Sequence, residues 1–186
     1  MKILEEIKYD TRVSVRPADP GDLQSSTATP DAAAVATLYN HYITNTVATF
    51  EEEPITAVDA AERIKAVQDA GYPWLVAEFD GATAGYTYAT SWKARPAYRY
   101  TVEVSIYVEP DLLGQGVGTA LYRHLLPVLA EQGIHSALGG ISLPNPTSAA
   151  LHEKFGFRPV ATLPEVGFKF DRWIDIGYWQ FTFPED

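Results

Sequence analysis

Apolar and polar residues along the chain follow two rhythms, one of period two and one of three to four, and the changes between them predict the elements. Arg12-Val-Ser-Val-Arg16 alternates like a short strand. The Gly, Pro, Ser and Thr of Asp19 to Pro30 predict a long loop. From Ala32 to Asn45, Val35, Leu38, Tyr39, Tyr42 and Ile43 lie three and four apart, predicting an amphipathic helix with Asp31 as its N-cap. A loop from Thr46 to Glu53 follows. Thr56-Ala-Val-Asp59 opens a second helix, with Ile64 and Val67 facing inward and Gly71 ending it.

Beyond Tyr72-Pro73 the pattern turns extended. Trp74 to Phe79, the turn Asp80-Gly81, and Ala84 to Trp92 predict a hairpin, and Thr101 to Val108 a further strand rich in β-branched residues. Thr119 to Gln132 reads as a helix closed by Gly133, although Pro127 stands inside it and should kink or shorten it at a cost of roughly 3 kcal/mol. Ser136 to Ser142 is a predicted strand, Pro146 to Phe155 a helix capped by Asn145, and Pro159 to Leu163 and Trp173 to Phe181 the last two strands. No repeat, low-complexity tract or dividing linker interrupts the 186 residues, a length suited to one α/β domain. Residues 1–11 read as an N-terminal extension to a domain over 12–186.

With 24 acidic against 14 basic residues the formal net charge is -10, which disfavours nucleic acid and anionic membrane as ligands. The absence of cysteine excludes disulfides, Cys-ligated metals and a thiol nucleophile. No signal-peptide core is visible in Met1 to Asp10 and no apolar run nears the ~20 residues of a membrane helix, so the cytoplasm is the default location. His41, His124 and His135 share no metal-ligand spacing, and no metal is expected.

The chemistry gathers around Gly114, Gly116 and Gly118. A strand runs into alternating glycines and then a helix, an arrangement that exposes backbone N–H groups and a positive helix end to an anion such as a phosphate. A dinucleotide fingerprint would need Gly or Ala at 119 or 121, where Thr119 and Leu121 stand; a Walker loop would need a lysine between Gly114 and Arg123, and there is none.

Leu113-Gly-Gln-Gly116-Val-Gly118 instead resembles the pyrophosphate turn of the Gcn5-related N-acetyltransferases (GNAT), departing from it at Leu113, where that family usually has Gln or Arg. Tyr39-Asn-His-Tyr-Ile43, Tyr72-Pro-Trp-Leu-Val-Ala-Glu78, Trp92-Lys-Ala-Arg95, Thr101-Val-Glu103, Leu143-Pro-Asn145, Leu151-His-Glu153 and Gly177-Tyr-Trp-Gln180 are similar to phosphinothricin-type acetyltransferases. The resemblance implies the GNAT fold, a mixed central sheet of about six to seven strands flanked by helices on both faces. It implies acetyl transfer from acetyl-CoA to the α-amino group of a small amino-acid analogue of the phosphinothricin or methionine sulfoximine type, by direct attack in a ternary complex. A homodimer is implied by kinship alone.

By the same resemblance acetyl-CoA contacts fall at Ile106, Tyr107 and Val108, whose backbone would pair with pantetheine, at Gly114, Gln115, Gly116, Val117, Gly118 and Thr119, and at Asn145. Glu103, an acid in an otherwise apolar strand, would be the general base, its pKa raised by partial burial. His152 stands where many relatives carry a tyrosine held to protonate the leaving thiolate, and would be acid, base or substrate partner. Lys93, Arg95 and Tyr98 form a cationic cluster suited to a carboxylate or phosphinate, facing Phe50 and Glu51. Tyr39, Tyr42, Trp173, Tyr178 and Trp179 read as core or dimer packing. Two other readings stay open: another amine acceptor (polyamine, aminoglycoside or protein N-terminus), and a non-catalytic acyl-CoA sensor.

Overall fold

The computed structural model describes residues 12–21 and 29–184. The predicted N-terminal extension and most of the early loop lie outside them. The strands are β1 (Val13–Pro17), β2 (Trp74–Phe79), β3 (Ala82–Ser91), β4 (Thr101–Val108), β5 (Ser136–Ser142), β6 (Arg158–Lys169) and β7 (Arg172–Thr182). The helices are α1 (Pro30–Asn45), α2 (Ala57–Asp69), α3 (Val117–Glu131) and α4 (Pro146–Lys154).

The seven strands form one sheet in the order β1-β2-β3-β4-β5-β7-β6. All neighbours are antiparallel except β4 and β5, which are parallel and joined through α3. That parallel pair shapes the site, because its register extends only from Thr101 opposite Ser136 to Glu103 opposite Leu138. Beyond Glu103 the two strands diverge, leaving the facing edge of β4 without a neighbouring strand.

Side chains alternate across β4 as the strand period demands. Val102, Val104 and Val108 turn into the core under α3, while Tyr107 packs into a second core beneath α1 and α2. Glu103 and Ser105 share the face of Tyr107.

Three local expectations change. Helix α1 starts at Pro30 with Thr29 as its cap, Thr29 Oγ1 accepting from Ala32 N at 3.3 Å. Pro30 suits a first helical position, where its missing N–H has no partner to lose, and this moves the start ahead of Asp31. Asp31 is instead buried, accepting two bonds from Arg16 at 2.7 and 2.8 Å and one from the Asp19 N–H. Helix α3 runs through Pro127 rather than ending there. Leu125, Leu126 and Leu129 around it are fully buried, each worth ~1.5–3 kcal/mol, which outweighs the local penalty. Strand β6 is also longer than its apolar pattern suggests, with irregular pairing between Pro159 and Ala161 and between Leu163 and Gly167.

Candidate active site

Where β4 and β5 part, a cleft of about 470 Å³ opens between the two strands, the glycine turn and α4. Its volume falls within the ~300–1,000 Å³ of ordinary ligand sites. The walls include β4 from Glu103 to Val108, Gly114, Gly116, Gly118 and Thr119 on the turn, and Asn145 and His152 on the α4 side.

The turn is built to receive an anion. Gly114 and Gly116 have φ of 78° and 89°, which side-chain-bearing residues rarely adopt, and nothing lies within 4 Å of a Cβ placed on Gly114. At Gly118 a Cβ would come within 2.9 Å of Leu151 Cδ2, so glycine there lets α3 and α4 approach. No side chain caps the start of α3, leaving the backbone N–H groups of its first turn for a ligand. Lys154 Nζ donates to Thr119 Oγ1 at 3.0 Å, adding a cation beside this cradle. Gln115 turns aside, its amide donating to Asp111 O, and Val117 is buried beneath the turn, so neither side chain walls the cleft. Asn145 Oδ1 caps α4 by accepting from Ser148 N at 3.0 Å. The open edge of β4 and the uncapped helix fit an extended pantetheine arm followed by a pyrophosphate.

Glu103 lies at the closed end of the cleft, half-buried, and its carboxylate makes no hydrogen bond or ion pair among the described residues. Burial raises its pKa above the usual 4.5. Gly140 makes room for it: a Cβ there would lie 3.1 Å from Glu103 Oε1 and 3.4 Å from the ring of Tyr178. The Tyr178 phenol is pushed up by burial and then by the Glu103 charge, placing it beside the acid rather than only in packing.

His152 is only 2% exposed, with both ring nitrogens engaged. Nδ1 lies 2.8 Å from Ser148 O, which can only accept, so Nδ1 carries the proton; Nε2 then accepts from Tyr122 O–H at 2.8 Å. The ring presses so closely on Gly139 that a Cβ there would collide with it. Burial lowers the His152 pKa below 6.5. His152 is therefore neutral and hydrogen-bonded on both nitrogens, tying α4 to α3 through Tyr122 and packing against β5 at Gly139.

The expected acceptor residues lie outside the walls of this cleft. Glu51 receives two bonds from Arg63, at 2.7 and 3.0 Å, and one from Tyr39 O–H at 2.9 Å. Burial raises the Tyr39 phenol to about 12. Phe50 packs against Gly167 of β6, and the buried Lys169 donates to Thr49 O at 2.8 Å, tying the 46–53 loop to β6. Lys93 Nζ sits 4.3 Å from the Trp92 ring centroid and 5.8 Å from that of Tyr98. Arg95 is exposed on the same turn after β3.

Several neighbours were not marked as site residues in the sequence. Tyr42 walls the cleft and donates to Val108 O at 2.6 Å, and its phenol is pushed up by burial. Gly139-Gly140 carried a usable signal, because paired glycines inside a strand mark a close approach. Tyr122, Arg63 and Lys154 carried none, being ordinary residues of helical stretches.

A cleft between diverging parallel strands, with an anion cradle at one end and a desolvated carboxylate at the other, defines an acyl-CoA-dependent transferase. The family model for the acetyltransferase (GNAT) domain matches residues 25–177, and the chain belongs to that family. Among the described residues no group of three or more His, Asp or Glu could hold a metal ion, and no helix is long and apolar enough to cross a membrane.

The chain is 42% identical over 164 residues to a phosphinothricin N-acetyltransferase of Streptomyces viridochromogenes, covering 88% of each. It is 36% identical over 155 residues to an L-methionine sulfoximine/L-methionine sulfone acetyltransferase of Salmonella typhimurium, covering 83% of this chain and 91% of the relative. Among solved structures it resembles a phosphinothricin acetyltransferase of Sinorhizobium meliloti in complex with acetyl-CoA, with a TM-score of 0.82 and 33% identity, covering 92% of this chain and 89% of that one.

Proposed function

We propose that the protein moves an acetyl group from acetyl-CoA to the α-amino group of a small amino acid or analogue, of the phosphinothricin or methionine sulfoximine type, by direct attack in a ternary complex. The observation that carries this reading is the half-buried Glu103 carboxylate in the cleft, which has no hydrogen-bond or ion-pair partner among the described residues. Such a group accepts a proton from an ammonium near neutral pH better than an exposed carboxylate does.

In this reading the backbone of Ile106 to Val108 holds the pantetheine arm, and the first turn of α3 with Lys154 holds the phosphates. Glu103 takes the ammonium proton; the freed amine attacks the thioester carbonyl, the C–N bond forms and the C–S bond breaks. The thiolate leaves and takes up the second proton shed by the nitrogen, giving the acetylated amine and CoA. Backbone N–H groups on the open edge of β4 meet the developing oxyanion. Lys93 and Arg95, exposed and without ion pairs among the described residues, attract the acceptor's acidic end. His152 holds α4 in place without exchanging protons.

The same reading includes a homodimer. Strand β6 is a sheet edge, and Val160, Leu163, Val166 and Phe168 on it, with Phe170 and Trp173 beyond, are exposed apolar residues of the kind a second copy would cover. The deciding experiment is a screen of amino acids, their analogues, polyamines and aminoglycosides that follows CoA release. Turnover confined to α-amino acids supports the proposal, whereas turnover only with polyamines or aminoglycosides, or acetyl-CoA binding with no turnover, refutes it.

A further inference from the structure

The two glycines of β5 face opposite sides of the sheet. Gly139 lies against His152 on the α4 side, so by strand alternation Gly140 faces the other way. Register puts Glu103 and Tyr178 on that same face. Gly140 stands directly opposite Tyr178 of β7, and Leu138, two residues before it, pairs with Glu103 of β4. Gly140 is exposed and walls the cleft. Its missing side chain leaves open ground between an acid on one flanking strand and a phenol on the other.

A single point measures how close the two groups come. A Cβ on Gly140 would lie 3.1 Å from Glu103 Oε1, 3.4 Å from Tyr178 Cε1 and 3.8 Å from Tyr178 Cζ. Cζ carries the hydroxyl and Cε1 adjoins it, so the Tyr178 ring reaches over Gly140 with its phenol end. Neither the hydroxyl nor the Glu103 carboxylate makes a hydrogen bond among the described residues. Burial and then the Glu103 charge hold the phenol above its usual 10, so it is neutral wherever Glu103 is ionised and amines are acetylated.

An ammonium group suits this pair. It brings a positive charge and several N–H donors, the carboxylate answers the charge, and the phenol oxygen offers a second acceptor without a second charge. An anionic group would be repelled by Glu103, and an apolar one would leave both oxygens stranded.

We propose that Tyr178 is an acceptor-binding residue that, with Glu103, seats the acceptor's amino group over Gly140. The phenol oxygen accepts one N–H while Glu103 takes the proton from another, and the nitrogen keeps the electron pair that attacks the thioester. This assignment rests on the N-acetyltransferase reading above, with Glu103 as base, and adds the residue that holds the nitrogen on the β7 side of the acid.

Two variants of the full chain test it. Tyr178→Phe keeps the ring and removes the hydroxyl; Gly140→Ala places a methyl group at the shared point, in ordinary strand backbone. Initial rates are measured with acetyl-CoA and the best amine from the screen, whatever its class, beside acetyl-CoA affinity by calorimetry and the melting temperature. Tyr178→Phe should raise the acceptor KM by roughly tenfold or more, the effect of losing a hydrogen bond to a charged group. Acetyl-CoA affinity and melting temperature should not move, because the hydroxyl has no protein partner to lose. Gly140→Ala should raise the acceptor KM at least as far. An acceptor KM and kcat equal to the parent's in either variant overturns the seat, and so does an activity loss in Tyr178→Phe that tracks a lowered melting temperature. Absence of turnover with every amine overturns the proposed function instead. The seat is then read by NMR of protein carrying isotope-labelled tyrosine, titrated with methylammonium. A shift of the Tyr178 ring signal, assigned by its absence in Tyr178→Phe, upholds the seat, and an unmoved signal overturns it.

Discussion

Tyr122→Phe separates a structural His152 from a catalytic one. Tyr122 is fully buried, its ring packed against Phe155 and Phe157 with centroids 5.5 and 5.9 Å away, and phenylalanine preserves those contacts. What is lost is the O–H donated to His152 Nε2 at 2.8 Å. The other ring nitrogen already donates to Ser148 O, so Nε2 is left as an unsatisfied acceptor in a residue only 2% exposed. Stranding a buried polar atom costs ~1–3 kcal/mol, which for a chain of this size lowers the melting temperature by roughly 2–12 °C.

The parent's pH dependence follows from the same geometry. Burial holds the folded pKa of His152 below the unfolded 6.5, so the unfolded chain binds the extra proton first on acidification. The contribution of His152 to stability is complete above pH 6.5. It falls as pH drops from there through the folded pKa, at up to ~1.4 kcal/mol per pH unit. Thermal denaturation of parent and variant across this range is the assay, with CoA release at 25 °C measured beside it. The expected result is a lower melting temperature at neutral pH with turnover close to the parent's. An unmoved melting temperature with a collapsed turnover would refute the reasoning and return His152 to proton transfer.

Gly116→Ala puts a Cβ on a residue at φ 89° in the anion cradle, and KM for acetyl-CoA should rise by roughly tenfold or more with the acceptor KM much less affected, as initial-rate kinetics will show. Burial opposes ionisation of Asp31, but the bonds from Arg16 and the Asp19 N–H outweigh it and lower its pKa below 3.8. Its stabilising contribution is therefore present above that value and lost as pH falls through the folded pKa, and Asp31→Asn should flatten this acid limb in urea titrations. Arg16 is largely exposed, so solvent screening keeps the Coulomb part of the effect near ~1 kcal/mol or below.

Patterning revealed the order of elements because each helix and strand has its own apolar period, and the glycine turn stood out because three glycines at alternate positions have few other uses. Glu103 was legible for a similar reason: a lone acid in a β-branched strand invites explanation. His152 was legible only in part, since its sequence position suggests chemistry while its partners, Tyr122 thirty residues earlier and Gly139 on β5, are supplied only by the fold. The Arg16–Asp31 pair was hidden in the same way, because an acid just before a helix reads as a cap until a distant arginine claims it.

The central claim is that Glu103 is the general base. The measurement that tests it most directly is the pH dependence of kcat/KM for CoA release by the parent and by Glu103→Gln, with saturating acetyl-CoA and the best acceptor from the screen. In the parent the acid limb should reflect a carboxyl group titrating above 4.5. In Glu103→Gln that limb should vanish and kcat fall by ~10²–10⁴, with acetyl-CoA affinity unchanged. Turnover in the variant equal to the parent's, with the same acid limb, would contradict the assignment.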